Sequence, residues 1–185
     1  PSYYQVYLAD YDVVTELVPT SRAALFRFTF PDNKQSNIII DAFDNGSYVK
    51  VIPAENKVIG YTTKNSGGVP DNFKNYFVIK FDKSFDLAQG VNNKELTGAL
   101  ENESNHSGAI LSFQTKRGEK VHAQVASSFI SFEQAELNLN ELGNKSIEEL
   151  KEESKAVWND ILGRIEVEDD NIDNLRTFYS NLYRS

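Results

Sequence analysis

Short apolar runs of period two fill the chain from Tyr3 to about Ser131. Phe26, Phe28 and Phe30 fall on one side of an extended segment and Arg27 and Thr29 on the other. Phe77, Ile79 and Phe81 repeat the pattern against Val78 and Lys80, and Val121, Ala123 and Val125 repeat it again. A half-buried strand requires this alternation, because successive side chains leave opposite faces of the pleat. The pattern predicts strands near 3–8, 13–19, 24–30, 37–43, 48–52, 57–64, 74–85, 109–116 and 121–131. Pro31-Asp32-Asn33, Asp44-Asn45-Gly46, Asn65-Ser66-Gly67-Gly68 and Lys116-Arg117-Gly118 stand between them and supply residues that tolerate tight bends. Residues 86–108, rich in Asn, Gly and Ser, read as a long loop. So many short strands cannot lie in one flat sheet, so a mainly β fold is expected, with two antiparallel sheets packed as a sandwich.

At Ser131 the period changes. Ser131 with Gln134 forms a capping-box signature, and Gly143 stands where a helix would stop, which predicts a helix over 132–142. Ser146 with Glu149 repeats the box ahead of Ile147, Leu150, Val157, Ile161, Leu162 and Ile165, predicting a second helix over 147–163. After the acidic turn Glu166–Asp170, Ile172, Leu175, Phe178, Tyr179 and Leu182 mark a third. The expected organisation is a β-sandwich at 1–131, linker helices at 132–168, and at 169–185 the first helix of a further helical domain. An amphipathic helix must bury its apolar stripe, and no later element is supplied, so the last helix is expected to face a missing partner. Docking of that helix on the sandwich is the alternative.

Composition narrows the function classes. A net charge of −8 with no basic run opposes binding to nucleic acid or an anionic membrane. Without cysteine there is neither a disulfide nor a thiolate metal site, and the two histidines, His106 and His122, exclude a His-rich metal centre within these residues. No apolar run approaches about 18 residues, and no signal-peptide pattern opens the chain. A start at Pro1, the absence of methionine and the immediate strand pattern suggest an internal fragment that begins upstream.

Nine Tyr, twelve Phe and one Trp suit strands, and they also suit a sugar-binding surface. Glycoside hydrolysis needs two carboxyls, one as acid and one as base or nucleophile. Asp10, Glu16, Asp41 and Asp44 lie at expected strand edges and turns, where structural roles are commoner. Glu148-Glu149 and Glu152-Glu153 open a helix, with Lys151 and Lys155 placed for ion pairs, and read as a solvated face. His122 could serve a sugar epimerase with a carboxylate, and Trp158 could form a sugar platform, although packing roles suit both. Asn45, Asn102, Asn105 and Asn144 each open a glycosylation acceptor pattern. No catalytic or metal-ligating residue is assigned within the chain, and its substrate-binding residues are unknown.

Tyr7-Leu8-Ala9-Asp10-Tyr11, Thr15-Glu16-Leu17, Thr20-Ser21-Arg22, Arg27-Phe28-Thr29-Phe30-Pro31 and Ile40-Asp41 occur in an order that resembles the amino-terminal sandwich of glycoside hydrolase family 92, the α-mannosidases common in gut Bacteroides. The resemblance continues in Ser127–Ser131 with Gln134-Ala135 and Asn138-Leu139. It runs on through Trp158-Asn159, Leu162, Ile165-Glu166-Val167 and Phe178–Arg184, so only 86–108 falls outside it. It implies a galactose-mutarotase-like supersandwich, linker helices and an (α/α)6 barrel, in a periplasmic or secreted enzyme. The implied activity is calcium-dependent, inverting, exo-acting hydrolysis of terminal α-mannose, often α-1,2-linked, from glycans. The acid, the base and the calcium ligands are implied to lie in the barrel, outside this chain, and Arg184 at most approaches the cleft. The fragment alone is expected to be inactive, its partners being α-mannoside glycans and its own helical domain. A non-catalytic carbohydrate-binding module and a mutarotase-like epimerase are the competing classes.

Overall fold

The computed structural model describes residues 2–185. Twelve strands precede three α-helices. The strands are β1 (Tyr4–Leu8), β2 (Val13–Pro19), β3 (Ala23–Phe30), β4 (Asn33–Asp41), β5 (Ser47–Ile52), β6 (Lys57–Thr62), β7 (Asn75–Phe81), β8 (Leu87–Asn92), β9 (Glu95–Thr97), β10 (Glu101–Ser104), β11 (Ser107–Thr115) and β12 (Glu119–Ser128). The helices are α1 (Phe132–Asn138), α2 (Ile147–Leu162) and α3 (Ile172–Arg184). Eight strands form a large sheet in the order β1-β2-β3-β12-β7-β6-β5-β10, and four form a small sheet in the order β4-β11-β8-β9. The pairings are antiparallel throughout.

The large sheet is apolar on both faces, and each face has its own core. Towards the small sheet, Val49, Val58, Leu111, Phe113 and Val121 are almost fully buried. Phe81, Phe85 and Phe113 meet there with ring centroids 5.4–5.9 Å apart. Gly60 in β6 faces this core, and a Cβ there would lie 2.3 Å from Phe77 Cζ and 2.4 Å from the Tyr48 carbonyl oxygen, so the Phe77 ring is accommodated only over a glycine. Towards the helices, Val18, Leu25, Val78 and Ala126 pack on Ala135, Leu139, Leu142, Ile147 and Leu150. The order is therefore helices, large sheet, small sheet.

Residues 86–108, expected as a loop, contain β8, β9 and β10 and lead into β11. β10 is wholly polar, yet it completes one edge of the large sheet against β5, and its Asn102 turns inwards, where Nδ2 donates to the Ala99 carbonyl. The strand expected at 74–85 ends at Phe81, the one expected to reach Ser131 ends at Ser128, and β4 begins at Asn33 rather than 37. Ser131 and Ser146 both cap the helices that follow them, but the box expected of Ser131 and Gln134 is only half formed, because the Gln134 side chain donates to Asn138 Oδ1 at 3.0 Å instead of turning back. Ser131 Oγ accepts from Gln134 N at 3.2 Å, and Ser146 and Glu149 exchange both bonds of a capping box. α1 tightens into a 3-10 turn at Leu139–Glu141. α3 lies against α2 with no residue buried, so it does not dock into the sandwich core. Ile161, Ile165, Ile172 and Tyr183 remain exposed. No helix among the described residues is long and apolar enough to cross a membrane.

Candidate functional site

The two-residue loop Ser21-Arg22 closes the hairpin of β2 and β3, and the register it sets places Glu16 opposite Arg27. β12 then sets His122 beside Arg27 on the same face, and Asp82, just past the end of β7, pairs with His122. A polar row thus crosses the large sheet on its helix-facing side, where the turn into α2 closes a groove of about 540 Å³.

Every member of the row has a partner. Arg27 donates twice to Glu16, from Nε to Oε2 at 2.6 Å and from Nη2 to Oε1 at 2.7 Å, and once from Nη1 to Glu148 Oε1 at 2.6 Å. The side chains of Arg27 and Glu16 are only 12% and 10% exposed. The Tyr3 hydroxyl donates a further bond to Glu16 Oε1 at 2.7 Å. Hydrogen bonds from Arg27 outweigh burial and, with Tyr3, hold the Glu16 carboxyl below the usual carboxylate range. Burial, followed by the Glu16 carboxylate, pushes the Tyr3 phenol up to about 12. Nδ1 of His122 lies 2.6 Å from Asp82 Oδ2, and the His122 backbone N–H donates to Asp82 Oδ1 at 2.8 Å. Burial raises the Asp82 pKa, but these bonds prevail and leave it depressed. Beside this row, Glu136 of α1 receives Lys80 at 2.7 Å and Lys57 at 3.6 Å. Glu141 receives the Arg22 side chain at 2.6 Å and the Thr20 hydroxyl at 2.7 Å.

Glu136, Glu141 and Glu148, held this way by Lys and Arg of the sheet and its loops, fasten the helices to the sheet. Glu16 corrects the expectation drawn from spacing. Glu16 lies inside a strand, buried, rather than at an edge, whereas Glu148 does lie on a solvated face, 66% exposed, and reaches from it to Arg27. The signal for Glu16 was present, because a two-residue turn at Ser21-Arg22 dictates that 16 opposes 27.

The other singled-out residues are scattered. Asp10 lies in the turn after β1 and is exposed. Asp41 accepts from Phe43 N at 2.8 Å and sits 2.7 Å from His106 Nε2, while Asp44 receives Lys64 at 2.5 Å. Glu149 is spent on the capping box, and Glu152 and Glu153 pair with Lys155 and Lys145. Trp158 packs edge-on against Tyr183 at 4.8 Å and so joins α2 to α3. Arg184 lies exposed in the last turn of α3. Of the four acceptor asparagines Asn102 is buried, whereas Asn45, Asn105 and Asn144 are exposed. Tyr48, Tyr61 and Tyr76 pack on one another and under Phe132 of α1, at 4.9–6.4 Å, instead of forming an open platform. Among the described residues no group of three or more His, Cys, Asp or Glu converges as metal ligands, and in the groove Glu148 is taken up by Arg27, Asp82 by His122 and Glu149 by its capping box. The residues present do not fit a calcium site.

No curated protein matches the chain. The profile described as glycosyl hydrolase family 92 N-terminal domain matches residues 1–128, and that of the family 92 catalytic domain matches residues 134–185. Among solved structures, a family GH92 inverting mannosidase from Bacteroides thetaiotaomicron VPI-5482 is 36% identical with a TM-score of 0.94, covering 100% of this chain and 25% of that one. A family GH92 α-mannosidase from the same species is 29% identical with a TM-score of 0.88, covering 99% and 26%. In its complex with mannoimidazole that protein gives 30% and 0.87, covering 99% and 25%. The chain thus spans about a quarter of the length of the solved structures it matches. A sandwich joined to capped helices, matched in sequence over residues 1–128 and 134–185, places the chain in glycosyl hydrolase family 92.

Proposed function

We propose that this chain is the amino-terminal body of a longer periplasmic or secreted exo-α-mannosidase that releases terminal mannose from glycans with inversion. The carrying observation is the match along the whole chain, at 36% identity, to an inverting mannosidase. The role of these residues is to build the sandwich and to present α2 and α3 to a helical catalytic domain. The exposed apolar positions Val157, Ile161, Ile165 and Ile172 support that role, since such a stripe is ordinarily covered.

Inversion places two carboxyls about 6.5–9.5 Å apart with a water between them. One protonates the departing glycosidic oxygen while the other takes a proton from the water that attacks the anomeric carbon, and β-mannose is released from an α-mannoside. The buried carboxylate described above, Glu16, is spent on Arg27, and in this reading both catalytic carboxyls belong to residues outside this chain. The same holds for the calcium that the enzyme is proposed to need and for the contacts that select α-1,2 linkages. The packed aromatic rings speak against a stand-alone sugar-binding module.

The test is proton NMR of α-1,2-mannobiose treated with the full-length product of the reading frame. β-Mannose is expected as the first product, lost on chelation and restored by calcium, with none from residues 1–185 alone. α-Mannose appearing first, or no hydrolysis of any α-mannoside, overturns the proposal.

A further inference from the structure

The two sheets are unequal, and the shortfall falls on one flank. The small sheet ends at β4, and beyond it no strand among the described residues faces the part of β1, β2 and β3 that lies past Val13 and Phe30. Register places Tyr4, Val6 and Leu8 against Leu17, Thr15 and Val13, and Leu17 and Thr15 against Phe26 and Phe28. These residues share the face that buries Val13 and Phe30 in the inter-sheet core. Yet Tyr4 is 59% and Leu8 41% exposed, and the stacked rings of Phe26 and Phe28 are only half-buried. An open cleft of about 690 Å³ separates this face from β4. β4 pairs with β11 alone among the described residues, so its outer N–H and C=O groups along Ile38-Ile39-Ile40 are free. An apolar floor beside an unpaired, proline-free strand edge is a template for further strands, and sheet proteins normally cover such an edge.

We infer that extended segments of the same polypeptide, from outside residues 1–185, pair with β4 and carry the small sheet across β1–β3. At about 4.8 Å per strand, two or three added strands suffice. The inference rests on the proposed membership of a longer enzyme. The solved mannosidases carry this region as about 25% of their chains, which leaves ample length outside it. A second copy pairing β4 to β4 is the rival occupant.

The test uses the full-length protein and two readouts. Hydrogen exchange with residue-level fragmentation counts protected amides in 33–41: an edge strand protects about half, a central strand nearly all. Maleimide labelling of Thr15→Cys, compared with the denatured protein, reports whether the floor is covered. Nearly complete β4 protection with labelling slowed about 100-fold, unchanged on dilution, is expected. Alternate β4 amides exchanging fast, whether or not the thiol is shielded, would overturn the inference. So would protection that fades on dilution, or a reading frame that adds no residues. If Thr15→Cys fails to fold, the exchange pattern of the unsubstituted protein decides alone. Full protection in a protein that cleaves no mannoside would sink the proposed activity and leave this inference standing.

Discussion

Replacing Arg27 by Met tests whether the buried knot fastens the sheet to α2. The substitution keeps most of the side-chain length but removes both bonds to Glu16 and the bond to Glu148. Glu16, 10% exposed, then keeps only the Tyr3 hydroxyl. Stranding one charge of a buried pair costs about 3–5 kcal/mol. The more exposed Glu148 bond adds no more than about 1 kcal/mol. Since Tyr3 still donates, we expect the lower end, about 3 kcal/mol, a large part of the 5–15 kcal/mol or so that holds an ordinary domain together. Urea unfolding at pH 7 measures it as a lower midpoint at unchanged slope. Replacing both partners, Glu16→Leu with Arg27→Met, should return to within about 1 kcal/mol of the original, because no charge is then left buried. The pH dependence has a definite sign. In the unsubstituted chain the depressed Glu16 pKa gives stability that is full above the unfolded value of about 4.3 and is lost as pH falls through the folded value. In Arg27→Met, burial without the cation raises that pKa, so Glu16 protonates readily and the deficit at pH 4 should be smaller than at pH 7. Equal losses in the single and double variants, with no change between pH 4 and pH 7, would refute the argument.

Leu142 is fully buried where the 3-10 turn meets the large sheet, so Leu142→Ala should cost about 2–5 kcal/mol, seen as a shift of one cooperative transition that includes the sandwich. Gly60→Ala forces a Cβ against Phe77 and the Tyr48 carbonyl and should cost about 1–3 kcal/mol by the same denaturation assay. Ser146→Ala removes the N-cap of α2; a loss of about 1 kcal/mol is expected, with faster amide exchange confined to residues 147–150. Tyr3 and Tyr48 carry phenols pushed up to about 12, by burial and then by Glu16 and Glu101. In an alkaline absorbance titration Tyr3→Phe should delete one of the last-ionising rings. Because the unfolded phenol ionises near 10, the contribution of Tyr3 to stability is present below that pH and lost as pH rises towards 12.

The alternation Phe26, Phe28, Phe30 and the two serine caps were legible because each is a local constraint, satisfied within a few residues. β8 to β10 were not. Their strands are short, and β10, Glu-Asn-Glu-Ser, has no apolar residue to reveal a face; it is a strand only because β5 offers an open edge. The Arg27 knot was half legible: the tight turn at Ser21-Arg22 fixes Glu16 against Arg27, but Glu148 joins from 121 residues away, and no local pattern announces it. The open flank beside β4 depends on strand order, which hydrophobic periodicity does not encode.

α2 is gripped at one end only. Ile147 and Leu150 are sunk in the helix-side core and Glu148 is tied to Arg27, all within the first turn, while Val157 and Ile161 further along stand clear of the sheet. A 16-residue helix is about 24 Å long, so it projects like a beam clamped at its root, and a few degrees of tilt at Arg27 become an ångström or two of travel at Leu162. The pitch of that beam, and with it the seating of whatever rests on its far end, is set by a few contacts at its root: Ile147, Leu150 and the guanidinium of Arg27.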